Sequence, residues 1–165
     1  MLNVRCEFQE REVLTPYKAR KREVISEFQE MKCHLITEIK MGGKFTRKDR
    51  FAAVGNTTEP PASLTYSSVF SIDSVCIEFT LTDIFYLDIW ACDIGNSFLS
   101  AKCGDKIWTK SGTVFGNYKG KVMTIIKDLH GLKSSGAAWR ALLAEMILEL
   151  GYKPSISDMY VWAKS

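Results

Sequence analysis

Two extended runs, residues 33–40 and 44–53, flank Met41-Gly42-Gly43 and predict a β-hairpin. The second run alternates apolar and basic residues near its start, which gives the hairpin one cationic face. Residues 55–66, with Pro60-Pro61 among threonines and serines, predict an irregular extended connection. Residues 71–85 predict a helix: Ser71 can cap it, Asp73 suits its first turn, and Val75, Phe79 and Ile84 fall near one face. The short apolar run Leu87-Asp88-Ile89-Trp90-Ala91-Cys92-Asp93-Ile94 predicts a strand ending in a carboxylate, broken by Gly95-Asn96, with a turn or short helix at Ser97-Phe98-Leu99. Residues 122–126 predict a second buried strand. The clearest helix starts at Ser134 or Ser135, carries Trp139, Leu142, Leu143, Met146 and Leu150 as its stripe, and ends at Gly151. Residues 152–162 then return to the sheet. This order of strands and helices, without internal repeats, predicts an α+β domain.

Composition narrows the function classes. With 165 residues and 46% apolar content the chain can bury one sizeable core. No run approaches the about 18 apolar residues of a membrane span, and no signal peptide opens the sequence, so an intracellular location, cytoplasmic or nuclear, with no membrane partner is expected. Five cysteines without a C-x-x-C spacing suggest neither a disulfide framework nor a zinc site. The basic excess is concentrated in residues 1–50, which suits phosphate binding as well as a solvated charged face. Residues 1–30, polar and charged with the cluster Lys18, Arg20, Lys21 and Arg22, predict a charged helix or linker ahead of a domain over residues 31–165.

The chemistry concentrates at Asp93. A carboxylate at the end of an apolar strand is costly unless something binds it, and nucleotidyl transfer uses strand-end carboxylates to hold two Mg²⁺ ions. A strand-end Asp also serves simply to cap the turn at Gly95-Asn96. The adjacent pair Cys33-His34 does not make a nucleophile and base, because neighbours on a strand point to opposite faces.

Several runs occur in an order and at a spacing that resemble Ty1/copia-type retrotransposon reverse transcriptases. They are Phe45-Thr46-Arg47-Lys48-Asp49-Arg50, Tyr66-Ser67-Ser68-Val69-Phe70-Ser71-Ile72-Asp73-Ser74-Val75 and Ala91-Cys92-Asp93-Ile94-Gly95-Asn96-Ser97-Phe98-Leu99. Lys106-Ile107-Trp108-Thr109-Lys110 with Phe115-Gly116 follows, then His130-Gly131-Leu132-Lys133-Ser134-Ser135-Gly136-Ala137-Ala138-Trp139, and finally Leu150-Gly151-Tyr152-Lys153-Pro154-Ser155 with Asp158. The resemblance implies the fingers and partial palm of a right-hand polymerase, an RNA-directed DNA polymerase within a retrotransposon Pol polyprotein. It implies Asp93 as a catalytic carboxylate and metal ligand for Mg²⁺ (or Mn²⁺), and Phe98 as the aromatic beneath the incoming sugar. Lys48 and Arg50 would meet the triphosphate of a dNTP; Gly131, Leu132 and Lys133 would support the template, with RNA/DNA template-primer as partner.

The sequence departs from that pattern at Cys76, His130, Met159-Tyr160 and Val54-Gly55-Asn56. The family's Tyr-x-Asp-Asp hairpin would follow the segment ending at Trp162, and the chain contains no Asp-Asp dipeptide. The expectation is a fragment truncated before that hairpin and inactive in isolation, with metal binding conditional on the missing half of the palm. The alternative is a non-catalytic nucleic-acid-binding remnant.

Overall fold

A computed structural model describes residues 13–16, 27–42, 44–55, 60, 65–67 and 69–164. The basic cluster at Lys18–Arg22 and most of the proline-containing connection after Gly55 lie outside the described residues. The chain is mixed α+β and divides into two compact units, Met1–Thr65 with Asn96–Trp139 and Tyr66–Gly95 with Arg140–Ser165.

The first unit is built on a four-stranded sheet and a hairpin. Strands β1 (Leu14–Pro16), β2 (Gln29–Glu30), β5 (Ile107–Lys110) and β6 (Val122–Ile125) form the sheet in the order β1-β6-β5-β2. β6 runs antiparallel to both β1 and β5, and β2 runs parallel to β5. β3 (Cys33–Gly42) and β4 (Lys44–Ala53) form the hairpin in the register Cys33↔Ala53 to Gly42↔Lys44. That register follows from period two: Phe51 and Ala53 point into the core, while Lys48 and Arg50 fall on the other face.

The core gathers Val13, Met31, Leu99, Ile107, Ile125, Leu129 and Leu132 around these strands, and Phe51 meets Phe115 edge-to-face at 5.2 Å. Cys33 is half-buried and its thiol is pushed above the ordinary range by burial, which the Thr109 hydroxyl partly offsets. Its neighbour His34 faces solvent. The separation of that pair agrees with strand geometry.

In the second unit, helix α1 (Ile72–Ile84) starts where Ser71 accepts a hydrogen bond from the Ser74 N–H at 3.0 Å, with Asp73 in its first turn. None of its residues is buried, so the predicted apolar face forms no core here. Asp158 clips this helix start to the following turn: it accepts from the Ser71 N–H (3.2 Å), the Ser74 hydroxyl (2.6 Å) and the Tyr160 N–H (2.9 Å). These donors, Ser74 first, hold its carboxyl below the usual range.

Helix α2 (Ser135–Glu149) begins in residues assigned to the first unit and continues in the second. It ends as its sequence demands. Gly151 takes a left-handed φ of 87°, the Gly151 N–H reaches Leu148 O, and the Tyr152 N–H reaches Ile147 O, a Schellman closure.

Three expectations are corrected. Residues 87–94 form no strand; they are irregular and exposed, because an apolar run becomes a strand only when a neighbour accepts its backbone groups. Residues 14–16 and 29–30 are strands rather than helix or linker, recruited by distant partners at 123–125 and 107–108. Residues 152–162 do not rejoin the main sheet; β7 (Lys153–Pro154) and β8 (Trp162–Ala163) pair only with each other.

Candidate functional site

In the first unit the structure brings together residues from three distant parts of the sequence. Ala52, on the same face of β4 as Lys48 and Arg50, forms a parallel bridge with His130, and the Ala53 N–H donates to His130 O at 2.7 Å. The segment 130–133 is thereby pinned along the end of the hairpin. The half-buried Phe98, in the 3₁₀ turn Ser97–Ser100, stacks edge-on against the His130 ring at 5.1 Å.

Two glycines make this approach feasible. Gly131 has a left-handed φ of 93°, and a Cβ there would overlap the Ala53 carbonyl oxygen. A Cβ on Gly55 would overlap the carbonyl oxygen of Gly131. The loop is held from behind as well. The Asp128 N–H donates to Ala101 O (3.0 Å), Ser135 Oγ donates to Leu129 O (2.7 Å), and Ser134 Oγ donates to Asp105 Oδ2 (2.8 Å).

The electrostatics of this face are cationic. Lys48 makes no ion pair among the described residues, and Arg50 reaches Glu38 at 3.5 Å across the hairpin, an exposed and weak pair. Arg47 lies on the opposite face and is spent on Asp49 at 2.9 Å, so it does not add to the cationic surface. Asp49 is held below the usual carboxylate range by the Thr37 hydroxyl first and by Arg47 after it.

His130 registers this field. Burial lowers its pKa first, then the charges of Arg50 and Lys48 lower it further. The lowered value favours the neutral ring, which packs edge-on against Phe98. Lys48→Ala with Arg50→Ala is expected to raise the His130 pKa while leaving it below the ordinary value, because burial is the larger cause. A proton NMR titration reads this directly, with exposed His34 as the internal reference; an unmoved His130 would show that the two cations do not face it.

The resemblance thus implied Lys48, Arg50, Phe98, Gly131 and Lys133, together with Asp93, for one site. Four of them gather around His130 and the β4 end, and exposed Lys133 follows in the same loop. It missed Gly55 and Asp128. The signal for Gly55 was its place two residues after a strand; the burial of Asp128 is one no local pattern reveals.

Asp93 lies in the second unit, exposed, within the irregular segment before Gly95. It is not the end of a strand, which removes the burial argument for a bound ion. Among the described residues no group of three or more His, Cys, Asp or Glu could hold a metal. A lone exposed carboxylate does not fit a Mg²⁺ or Mn²⁺ site, and no chemical step is derived through one. No helix among the described residues is long and apolar enough to cross a membrane. Comparison of the chain with protein-family models, with curated proteins and with solved structures finds no match.

Proposed function

We propose that the chain is the fingers and partial palm of a Ty1/copia-type reverse transcriptase, a piece that binds nucleic acid or nucleotide phosphates and does not polymerise alone. The observation that carries this reading is the convergence of Lys48 and Arg50 on β4 with Phe98 and the 130–133 loop. These motifs are far apart in sequence, and the resemblance implies contact with the incoming nucleotide or the template for each of them. A cationic strand face beside a glycine-lined loop offers phosphates two charges and offers a base or sugar close backbone approach. Polymerisation would further require the paired carboxylates that the family places after residue 162, with Asp93 completing a metal site only in their company.

Binding of a template-primer duplex, measured against salt concentration, tests the reading. The slope of log affinity against log salt is expected to fall by about one unit for each of Lys48→Ala and Arg50→Ala. Primer extension by the 165-residue chain is expected to be absent with Mg²⁺ or Mn²⁺. An unchanged slope in the double variant would sink the binding reading, and extension abolished by Asp93→Asn would sink the claim of inactivity.

A further inference from the structure

A second concavity lies wholly within the second unit and has no part in the site above. It is an open groove of about 430 Å³ between helix α1, the irregular segment around Asp88–Trp90 and the turn at Tyr160–Trp162. Its walls carry five aromatic side chains, Phe70, Phe79, Trp90, Tyr160 and Trp162, and its polar edge carries the carboxylates of Glu78 and Asp88. No lysine, arginine or histidine lines it, and neither carboxylate is in an ion pair among the described residues. The aromatics are held open to solvent: Trp90 is 91% exposed and Phe79 57%.

Uncovered aromatic faces beside unneutralised carboxylates favour one ligand chemistry. The face of an indole or phenyl ring is electron-rich and attracts a cation, most strongly one with a weak hydration shell. A hydrated ammonium or metal ion gains little by entering such a groove, whereas a quaternary ammonium sheds little water and buries its methyl groups against the rings. The unit already uses this interaction, because the Arg140 guanidinium sits 4.3 Å from the centre of the Tyr160 ring on the same turn. One face of that ring is therefore occupied, whereas Trp90, Phe79 and Trp162 line the groove without such a cation among the described residues. The Asp158 clip fixes the helix start against the turn, so the two walls are tied by two hydrogen bonds at one end, and a third, from the Tyr160 N–H, orders the turn itself.

We propose that this open groove is a binding site for a small organic cation, a quaternary ammonium group seated against Trp90, Phe79 and Trp162 and neutralised by Glu78 and Asp88. It is independent of the phosphate-binding face, which takes the opposite charge.

The test uses the full chain and choline as probe, against the neutral isostere in which carbon replaces the quaternary nitrogen. The four indole N–H signals in a nitrogen–proton NMR spectrum give the readout. Choline is expected to shift the Trp90 and Trp162 signals saturably and to leave Trp108, on strand β5 of the first unit, in place. The isostere is expected to bind about tenfold more weakly. Glu78→Gln with Asp88→Asn, folded as judged by an unchanged Trp108 signal and far-ultraviolet circular dichroism, should remove most of that preference. Phe79→Leu, which keeps an apolar side chain and removes a ring, should weaken choline more than the isostere. Equal binding of choline and its isostere would reduce the groove to an apolar surface. Saturation without movement of Trp90 and Trp162, or no binding, would overturn the site itself.

Discussion

Asp128→Asn is expected to make the chain more stable at about pH 8, by on the order of 3 kcal/mol, and to leave it little changed near pH 4. Asp128 has no exposed surface, and neither carboxylate oxygen has a hydrogen-bond partner among the described residues. The Cys103 thiol lies beside it but points its proton at the Asp105 carbonyl, 3.5 Å away, and so is at most a weak donor to the carboxylate. Burial, aided by the charge of Asp105, pushes the Asp128 carboxyl up from 3.8 to about 6, with Cys103 offsetting a part. The Cys103 thiol itself is pushed up to about 12, mainly by burial, and stays protonated.

The sign follows from proton binding. A carboxyl with a raised folded-state value holds its proton in the native state between pH 3.8 and about 6, where the unfolded chain has released it. Stability therefore falls as pH rises through that window and is lowest, so far as this group decides it, above about pH 6. An amide is isosteric and uncharged, so the substitution removes both the cost and the slope. Urea unfolding at several pH values separates the outcomes: converging curves at acid pH and diverging ones at alkaline pH are expected. Parallel curves would mean that Asp128 is solvated or paired in the folded chain.

How much of this was legible in the sequence depended on whether the determining contact was local. The start of α1 was legible because Ser71 and Asp73 act within one turn, and the end of α2 because Gly151 takes a conformation that costs other residues. The hairpin was legible because its two strands are neighbours in the chain. Residues 87–94 misled because β-branched and aromatic content records a suitability for pleated, half-buried surroundings, and those surroundings are absent. The strand at Leu14–Pro16 was invisible for the converse reason: its partner, β6, lies more than a hundred residues on and nothing local announces it. The candidate site was read from motif order, and its residues meet through Ala52 and His130, a backbone bridge that no side-chain pattern encodes. The chemical argument for Asp93 rested on a strand that does not form, whereas its implied role as a metal ligand rests on the resemblance alone.

Gly131→Ala is expected to cost about 3–4 kcal/mol and to abolish the proposed phosphate-binding face with it. Two effects add. The left-handed φ of 93° disfavours any side chain, and the new Cβ would overlap the Ala53 carbonyl oxygen, a backbone atom that cannot swing aside. Gly120 isolates the first effect: its φ is 77°, but a Cβ there meets nothing within 4 Å, so Gly120→Ala should cost about 1 kcal/mol. Gly104, with neither constraint, should tolerate alanine at no cost or with a small gain from a stiffer unfolded chain. Gly55→Ala should resemble Gly131→Ala, since it strikes the carbonyl of Gly131 from the other side. The pair should then be strongly non-additive: once either methyl group has pushed the 130–133 loop off β4, the second has little left to disturb. Thermal or urea unfolding of the four single variants and the double variant gives this ranking. If the double variant lost the sum of its parts, the two glycines would not be guarding one contact. The same series read by template-primer binding, at a temperature where every variant is folded, should show Gly120→Ala and Gly104→Ala binding normally. The loop variants should lose the salt-dependent component contributed by Lys48 and Arg50, because the cationic strand face and the loop act on a phosphate only while His130 stays bridged to Ala52.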